Sequence, residues 1–382
     1  MARPHDTRRL CILSLPMTSV SHDSPPRERA PAVTAEGESF ASDPKRLRYA
    51  EVAIPASGKS VEIAPGVRWA RIPLPMDLNH INVWLIDAHD GCIVVDTGMA
   101  ASMGKEAWES IAADVFATKP LRGVFVTHIH PDHIGLAAWL QERHGVPVTM
   151  SRRTYEMASM MLDAGAQTPF SDAEKFFRAN GLTDLEQMLP MFKPDRFIRM
   201  ASGLPRVERF VADNEVAPFS REWTAMETNG HAEGHLCLSN AAARTLISGD
   251  QVLPTISSNI SFTFRSGDTN PLGSYLSSLE RLRALPAETL VLPSHGAPFY
   301  GLQQRIDDLT RHHHEQLEKV LNVCAEPRTA ADLLPHMFRR ELKGMHLYLA
   351  LGEAVAHLEY LAQHGRLERR TTPDVIRYAA IS

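Results

Sequence analysis

The segment Thr127-His128-Ile129-His130-Pro131-Asp132-His133-Ile134-Gly135 constrains this chain more than any other. Three imidazoles and a carboxylate fall within six consecutive positions. They follow Val124–Thr127, an apolar run that reads as a buried strand. Side chains two apart at a strand end point the same way, so His128 and His130 can converge on one point. Asp132 and His133 follow in the loop and can serve a second point a few ångströms away. Neutral imidazole and carboxylate suit Zn, Mn or Fe, and the lack of cysteine there argues against a structural zinc knot.

Three more polar residues close predicted strands or the turns after them. His231 lies in Asn229-Gly230-His231-Ala232-Glu233-Gly234-His235, after a strand near Trp223–Glu227. Asp250 ends Leu246-Ile247-Ser248-Gly249-Asp250, and His295 sits in Pro293-Ser294-His295-Gly296. Other predicted strands are Val67–Leu74, Ile81–Ile86, Cys92–Val95, Leu236–Ser239, Thr245–Ser248 and Leu290–Pro293, all bounded by Pro, Gly, Asp or Asn or by polar turns. Lys105–Phe116 reads as a helix. Another starts at Asn270-Pro271, with a stripe of Leu272, Leu276, Leu279, Leu282 and Leu285. Runs of strands with helices between them predict an α/β sandwich rather than a simple parallel sheet.

His-x-His-x-Asp-His, followed by Gly-His-x-x-Gly-His, Ser-Gly-Asp and Ser-His-Gly, resembles the metallo-β-lactamase-fold hydrolases over about residues 60–300. The resemblance implies an αββα sandwich carrying two divalent ions, zinc by expectation, with iron or manganese as alternatives. It places His128, His130 and His231 on the first metal and Asp132, His133 and His295 on the second, with Asp250 bridging. His235 would stand behind the ligands or line the pocket, and Asp96 would be the buried aspartate that orients the site. A hydroxide between the metals would attack a polarised carbonyl; Asp132 would orient it or carry a proton, and Asp250 would keep the metals together.

The expected reaction is hydrolysis of a thioester or ester. A Met- and Phe-rich helical stretch over residues 151–200 (Met157, Met160, Met161, Phe170, Phe176, Phe177, Met188, Met191, Phe192) favours an apolar acyl group. Leu253 stands where quorum-sensing lactonases often carry a tyrosine, which weakens a lactonase reading. Gly296-Ala297-Pro298-Phe299 departs from the glyoxalase II pattern, which puts glutathione specificity in doubt. His80, Phe262 and Phe264 are further candidates to line the pocket.

Residues 1–47 read as a disordered, Pro-rich tail, 48–301 as the catalytic domain and 302–382 as a small helical domain. Helices over Gln303–Val323, Thr329–Phe338 and His346–His364, then a strand at Leu367–Arg370, resemble the winged-helix appendage of a β-lactamase-like group that includes an endoribonuclease. That leaves a nuclease or phosphodiesterase as the alternative, with Arg339, Arg340, Lys343, Arg366, Arg369 and Arg370 as phosphate contacts. A DNA-binding regulator is a third class, disfavoured because a sensor needs no open bimetallic centre. His312-His313-His314 should form a solvated helix face.

The net charge of −5 gives no bulk reason to bind nucleic acid or an anionic membrane. No apolar run nears the roughly 18 residues of a membrane helix. The expected partner is a small-molecule acyl substrate, with a homodimer left open. Four dispersed cysteines and only a weak leader-like pattern at Leu10–Leu15 point to the cytoplasm.

Overall fold

The computed structural model describes residues 47–162, 170–186 and 196–381, all within one compact unit, Val33–Ser382. Residues 1–46 of the expected 1–47 tail, Met188, Met191, Phe192 and the Phe170 side chain lie outside the described residues; Leu47 is buried in the core.

A short strand, β1 (Arg48–Tyr49), belongs to the second of two large sheets. The first sheet runs in order β2 (Ser60–Ala64), β3 (Val67–Pro73), β4 (His80–Ala88), β5 (Gly91–Val95), β6 (Leu121–Phe125), β7 (Val148–Met150) and β8 (Val207–Phe210). It is antiparallel from β2 to β5 and parallel from β5 to β8. The second sheet adds β9 (Trp223–Thr228), β10 (His235–Asn240), β11 (Thr245–Gly249), β12 (Leu290–Pro293) and β13 (Phe299–Tyr300), in the order β1-β13-β12-β11-β10-β9. Only β11 and β12 are parallel there, joined by a crossover helix.

The helices are α1 (Ser102–Ile111), α2 (Pro131–Ile134), α3 (Ala137–His144), α4 (Arg152–Leu162), α5 (Phe170–Ala179), α6 (Arg196–Met200) and α7 (Pro271–Arg283). After them come α8 (Leu302–Val323), α9 (Ala330–Met337) and α10 (Met345–Gln363), then a hairpin of β14 (Leu367–Thr371) and β15 (Ile376–Ala380).

Strand alternation explains the layering. On β4, Ile81, Val83 and Leu85 face outward and pack with Trp108 and Ile111 of α1 and Leu140 of α3. Trp84 and Ile86 face the other way and meet Trp223, Leu238, Ile247 and Leu292 of the second sheet. The outer face of that sheet, through Cys237, Leu246 and Val291, packs under α7, α8 and α10. The result is helix, sheet, sheet, helix, the expected αββα sandwich, with the helical segment after residue 301 continuing the outer layer.

The predicted start of α7 is realised in atoms: Asn270 Oδ1 accepts from Gly273 N at 3.0 Å, with Pro271 at the first helical position. Three expectations need correction. β6 stops at Phe125 rather than Thr127, because Thr127 N donates to the Asp96 carboxylate at 2.8 Å instead of to a neighbouring strand. His128 and His130 therefore converge from a loop and not from a strand pleat, and Asp132 and His133, expected in that loop, stand on the short helix that Pro131 opens. The Lys105–Phe116 helix begins at Ser102 and widens into a π-turn over Ala112–Phe116. His312 and His313 are buried, not solvated, because α7 and α10 cover that face of α8; only His314 is exposed.

Candidate metal centre

Strand ends and the loops after them at one edge of the sandwich bring the predicted residues together. Asp96 follows β5, residues 127–133 follow β6, His231 follows β9, Asp250 follows β11 and His295 follows β12. Three backbone bonds close this edge: Leu236 N to Thr127 O (2.9 Å), Ser294 N to Gly249 O (3.0 Å) and Asn82 N to Ser294 O (2.7 Å). The Asn82 side chain reinforces it by donating to Pro293 O and Gly296 O while accepting from Trp69 Nε1.

Two groups result, each with ligand atoms within 4.8 Å of one another: His128, His130, His231 and Asp250; and Asp132, His133 and His295. Asp250 faces both. Its Oδ2 lies 3.5 Å from His231 Nε2, 4.0 Å from His128 Nε2 and 3.4 Å from His133 Nε2, and its Oδ1 lies 3.7 Å from His295 Nε2. Asp132 Oδ2 lies 3.2 Å from His295 Nε2 and 3.6 Å from His133 Nε2. Ligands at zinc distances around a tetrahedral ion stand about 3.3 Å apart, longer than a good hydrogen bond. The spacings of 3.4–4.0 Å around Asp250 thus fit ions held among these side chains better than direct pairing, while the 3.2 Å from Asp132 to His295 is still within hydrogen-bond reach. His133 Nε2, His295 Nε2 and Asp250 Oδ1 are buried and, among the described residues, make no hydrogen bond of good geometry, as expected of atoms built to meet a cation. His128 Nε2 and His130 Nδ1 lie 2.9 Å apart.

The opposite ring nitrogens are held. His133 Nδ1 meets Asp96 Oδ2 at 2.8 Å, His231 Nδ1 donates to Asn259 O at 2.9 Å, and His295 Nδ1 donates to His80 O at 3.1 Å. Thr127 Oγ1 lies 3.0 Å from His128 Nδ1 and also bonds Asp96. Each contact fixes a ring through its outer nitrogen, so that the inward nitrogen is the one able to turn a lone pair to a cation. Asp96 adopts φ 63°, a left-handed conformation that costs energy for a residue with a Cβ. His235 stands behind the cluster. Its Nε2 accepts from Asp250 N at 3.2 Å, its Nδ1 lies 2.9 Å from Thr228 Oγ1, and its ring passes so close to Gly249 that a Cβ there would sit 2.4 Å from it.

Electrostatics divide the cluster. Burial holds His128 and His235 well below the usual histidine range, and burial with the neighbouring His231 lowers His130 to about 3. Against the same burial, the Asp250 and Asp132 carboxylates raise His295 to about 9, and Asp250 with Asp96 raises His133. Asp132 falls to about 2, burial being outweighed by His133 and His295.

The remaining candidates separate. His80 opens β4 and acts through its carbonyl. Phe262 and Phe264 are half-buried and lie 6.5 and 6.2 Å from the Phe176 ring of α5. Phe177 is wholly buried against Tyr348 of α10, so part of the Met/Phe stretch is core. Met157 and Met161 are half-buried, and Met160 is exposed. Leu253 is buried. Sequence reasoning missed the carbonyls of Asn259 and His80, and the Thr127 hydroxyl.

The family model of the metallo-beta-lactamase superfamily matches residues 76–295, and that of the metallo-beta-lactamase-like C-terminal domain matches residues 317–381. The chain therefore belongs to the metallo-β-lactamase superfamily, whose members of this kind are metal-dependent hydrolases. A solved beta-lactamase domain protein from Burkholderia ambifaria superposes with a TM-score of 0.81 at 37% identity, covering 88% of this chain and 99% of that one. A probable metallo-hydrolase of Bacillus subtilis is 27% identical over 76% of this chain and 90% of its own length. An acyl-coenzyme A thioesterase of Bos taurus is 25% identical over 50% of this chain and 64% of its own length. Among the described residues no helix is long and apolar enough to cross a membrane.

Proposed function

We propose that this chain is a dinuclear metallohydrolase that cleaves thioesters or esters with an apolar acyl group. The observation that carries the reading is one carboxylate, Asp250, facing two separate ligand groups. His128, His130 and His231 would hold one ion and Asp132, His133 and His295 the other, with Asp250 shared. Divalent ions bound there, zinc by expectation, would supply Lewis acidity and a hydroxide nucleophile at neutral pH. The chain's own part is orientation and proton handling. Asp96, Asn259 O and His80 O hold three ligand imidazoles in one tautomer. Asp132, slightly more open to solvent than Asp250, is placed to orient the nucleophile or to take and return a proton.

The thioester reading draws support from the thioesterase named among the relatives and from the half-buried rings of Phe262 and Phe264, which follow Asn259, beside that of Phe176 on α5. Leu253 offers no hydroxyl to a lactone. The nuclease alternative has less support. On the three helices and hairpin after residue 301, which we read as winged-helix-like, Arg366, Arg369 and Arg370 each pair with an acid, Glu318, Glu359 and Glu368. Buried free thiols at Cys92, Cys237 and Cys324 favour a reducing, cytoplasmic setting, and a small-molecule acyl substrate is the partner we propose.

The test is thiol release from acyl-coenzyme A and acyl-glutathione thioesters of graded chain length, with metal-loaded protein beside a His128→Ala variant. Release that rises with acyl length and is lost in the variant is expected. No release from a chain that holds its metal would overturn the thioester reading and leave lactones, aryl esters and single-stranded RNA to be tried.

A further inference from the structure

The helical segment after residue 301 touches the loop that supports one histidine of the cluster. The loop that follows Asp250 returns through residues 257–264 and lies on α10 at three points. Phe262 N donates to Gly352 O at 3.0 Å. Ser261 Oγ lies 3.2 Å from Leu349 O. Asn259 Nδ2 donates to Glu353 Oε2 at 3.3 Å. The Asn259 amide is also fixed at its other end, where Ser261 Oγ lies 2.5 Å from Oδ1. Both Asn259 and Glu353 are buried. A carboxylate so far from water persists only with partners, and Asn259 supplies one. The fit is tight: a Cβ on Gly352 would stand 2.8 Å from Ser261 Oγ and 3.1 Å from Phe262 O.

The carbonyl of this same Asn259 accepts from His231 Nδ1 at 2.9 Å. That bond selects the tautomer with the proton on Nδ1 and the lone pair on Nε2, the atom facing Asp250 Oδ2 at 3.5 Å.

We propose that Glu353, in the helical segment beyond the sandwich, is a positioning residue for His231, acting through the side chain and then the carbonyl of Asn259. The proposal rests on the reading of His231 as a metal ligand. It makes α10 a structural part of the centre rather than a passive neighbour. Glu353 touches no reacting atom; it sets where the Asn259 carbonyl stands, and so where the ring points.

The test uses the full chain loaded with Co²⁺, whose visible absorption reports ligand geometry, with affinity measured by chelator competition. In Glu353→Ala the Co²⁺ spectrum should change, and affinity at one of two sites should fall by about 10–100-fold, the usual effect of losing a residue that supports a ligand. Glu353→Gln keeps an acceptor for Asn259 Nδ2 and should stay close to wild type. Asn259→Ala keeps the carbonyl but loses its anchor and should match Glu353→Ala, and the double variant should be no worse than either. Should Glu353→Ala fail to fold, Asn259→Ala decides alone. A wild type that binds two Co²⁺, beside variants with unchanged spectrum and affinity, overturns the positioning role only. Equal loss in Glu353→Gln and Glu353→Ala, or additive losses in the double variant, also overturns it. A wild type that binds no Co²⁺ overturns the metal reading together with it.

Discussion

Asp96 shows how much of this centre depends on groups that do not face its interior. Its carboxylate accepts from Thr127 N and from the Thr127 hydroxyl and meets His133 Nδ1, and its backbone sits at φ 63° to do so. Strain held by several hydrogen bonds belongs where geometry matters. Asp96→Asn keeps the size but removes the charge that holds His133. Metal affinity is expected to fall by about 10–100-fold while the fold persists, as read by chelator competition and circular dichroism; unchanged affinity would remove Asp96 from the account. At this scale the members of the cluster were legible, because imidazoles and carboxylates at such spacing have few other uses. Their supports were only partly legible. Asp96 stood in a recognisable Val-Val-Asp-Thr-Gly run. Every residue has a carbonyl, so nothing in the sequence marked those of Asn259 and His80.

Among the elements, α8 departs furthest from its sequence reading. Three consecutive histidines suggested a wet face, yet His313 packs edge-on against Tyr275 of α7 and lies 3.4 Å from His357 of α10. The same helix carries Arg305, wholly buried, whose guanidinium donates to Leu253 O at 2.6 Å and Ile256 O at 2.7 Å in the loop after Asp250. Helix periodicity can find an apolar stripe, but a buried polar seam looks like surface until its partners arrive from residues far away in sequence. Burial lowers His312 to about 3 and His357 to about 4, and holds His313 below the usual range. The unfolded chain protonates these rings near pH 6.5. Above that pH neither state carries the protons and nothing is lost. As the pH falls towards about 4 the unfolded chain gains protons that the folded one refuses, so stability declines by about 1.4 kcal/mol per pH unit for each such proton. His313→Gln should flatten that decline relative to wild type in chemical denaturation at pH 7 and pH 5; parallel slopes would show that His313 is not refused its proton.

At the scale of the whole molecule, one apolar core runs from the second sheet (Cys237, Leu246, Val291) through α7 into α8, α9, α10 and the hairpin, ending at Leu367 and Tyr378. The short β1, β2, β7, β8, β13 and β15 were not readable from periodicity and caps, whereas the longer central strands (β3 to β6 and β9 to β12), β14, the crossover helix and the three late helices were. That they share one core was not, because periodicity identifies a face and not what covers it. The sheets bring the clustered histidines and aspartates to one edge, and the helical layer holds the loop after Asp250 through Arg305, Gly352 and Glu353. Everything then turns on Asp250, the carboxylate that faces both groups. The most direct measurement is metal stoichiometry and affinity of the full chain beside Asp250→Asn. Two ions per wild-type chain, with both affinities reduced in the variant, is the result expected here. A single ion, or a variant that loses affinity at one site and keeps the other untouched, would contradict a shared dinuclear centre.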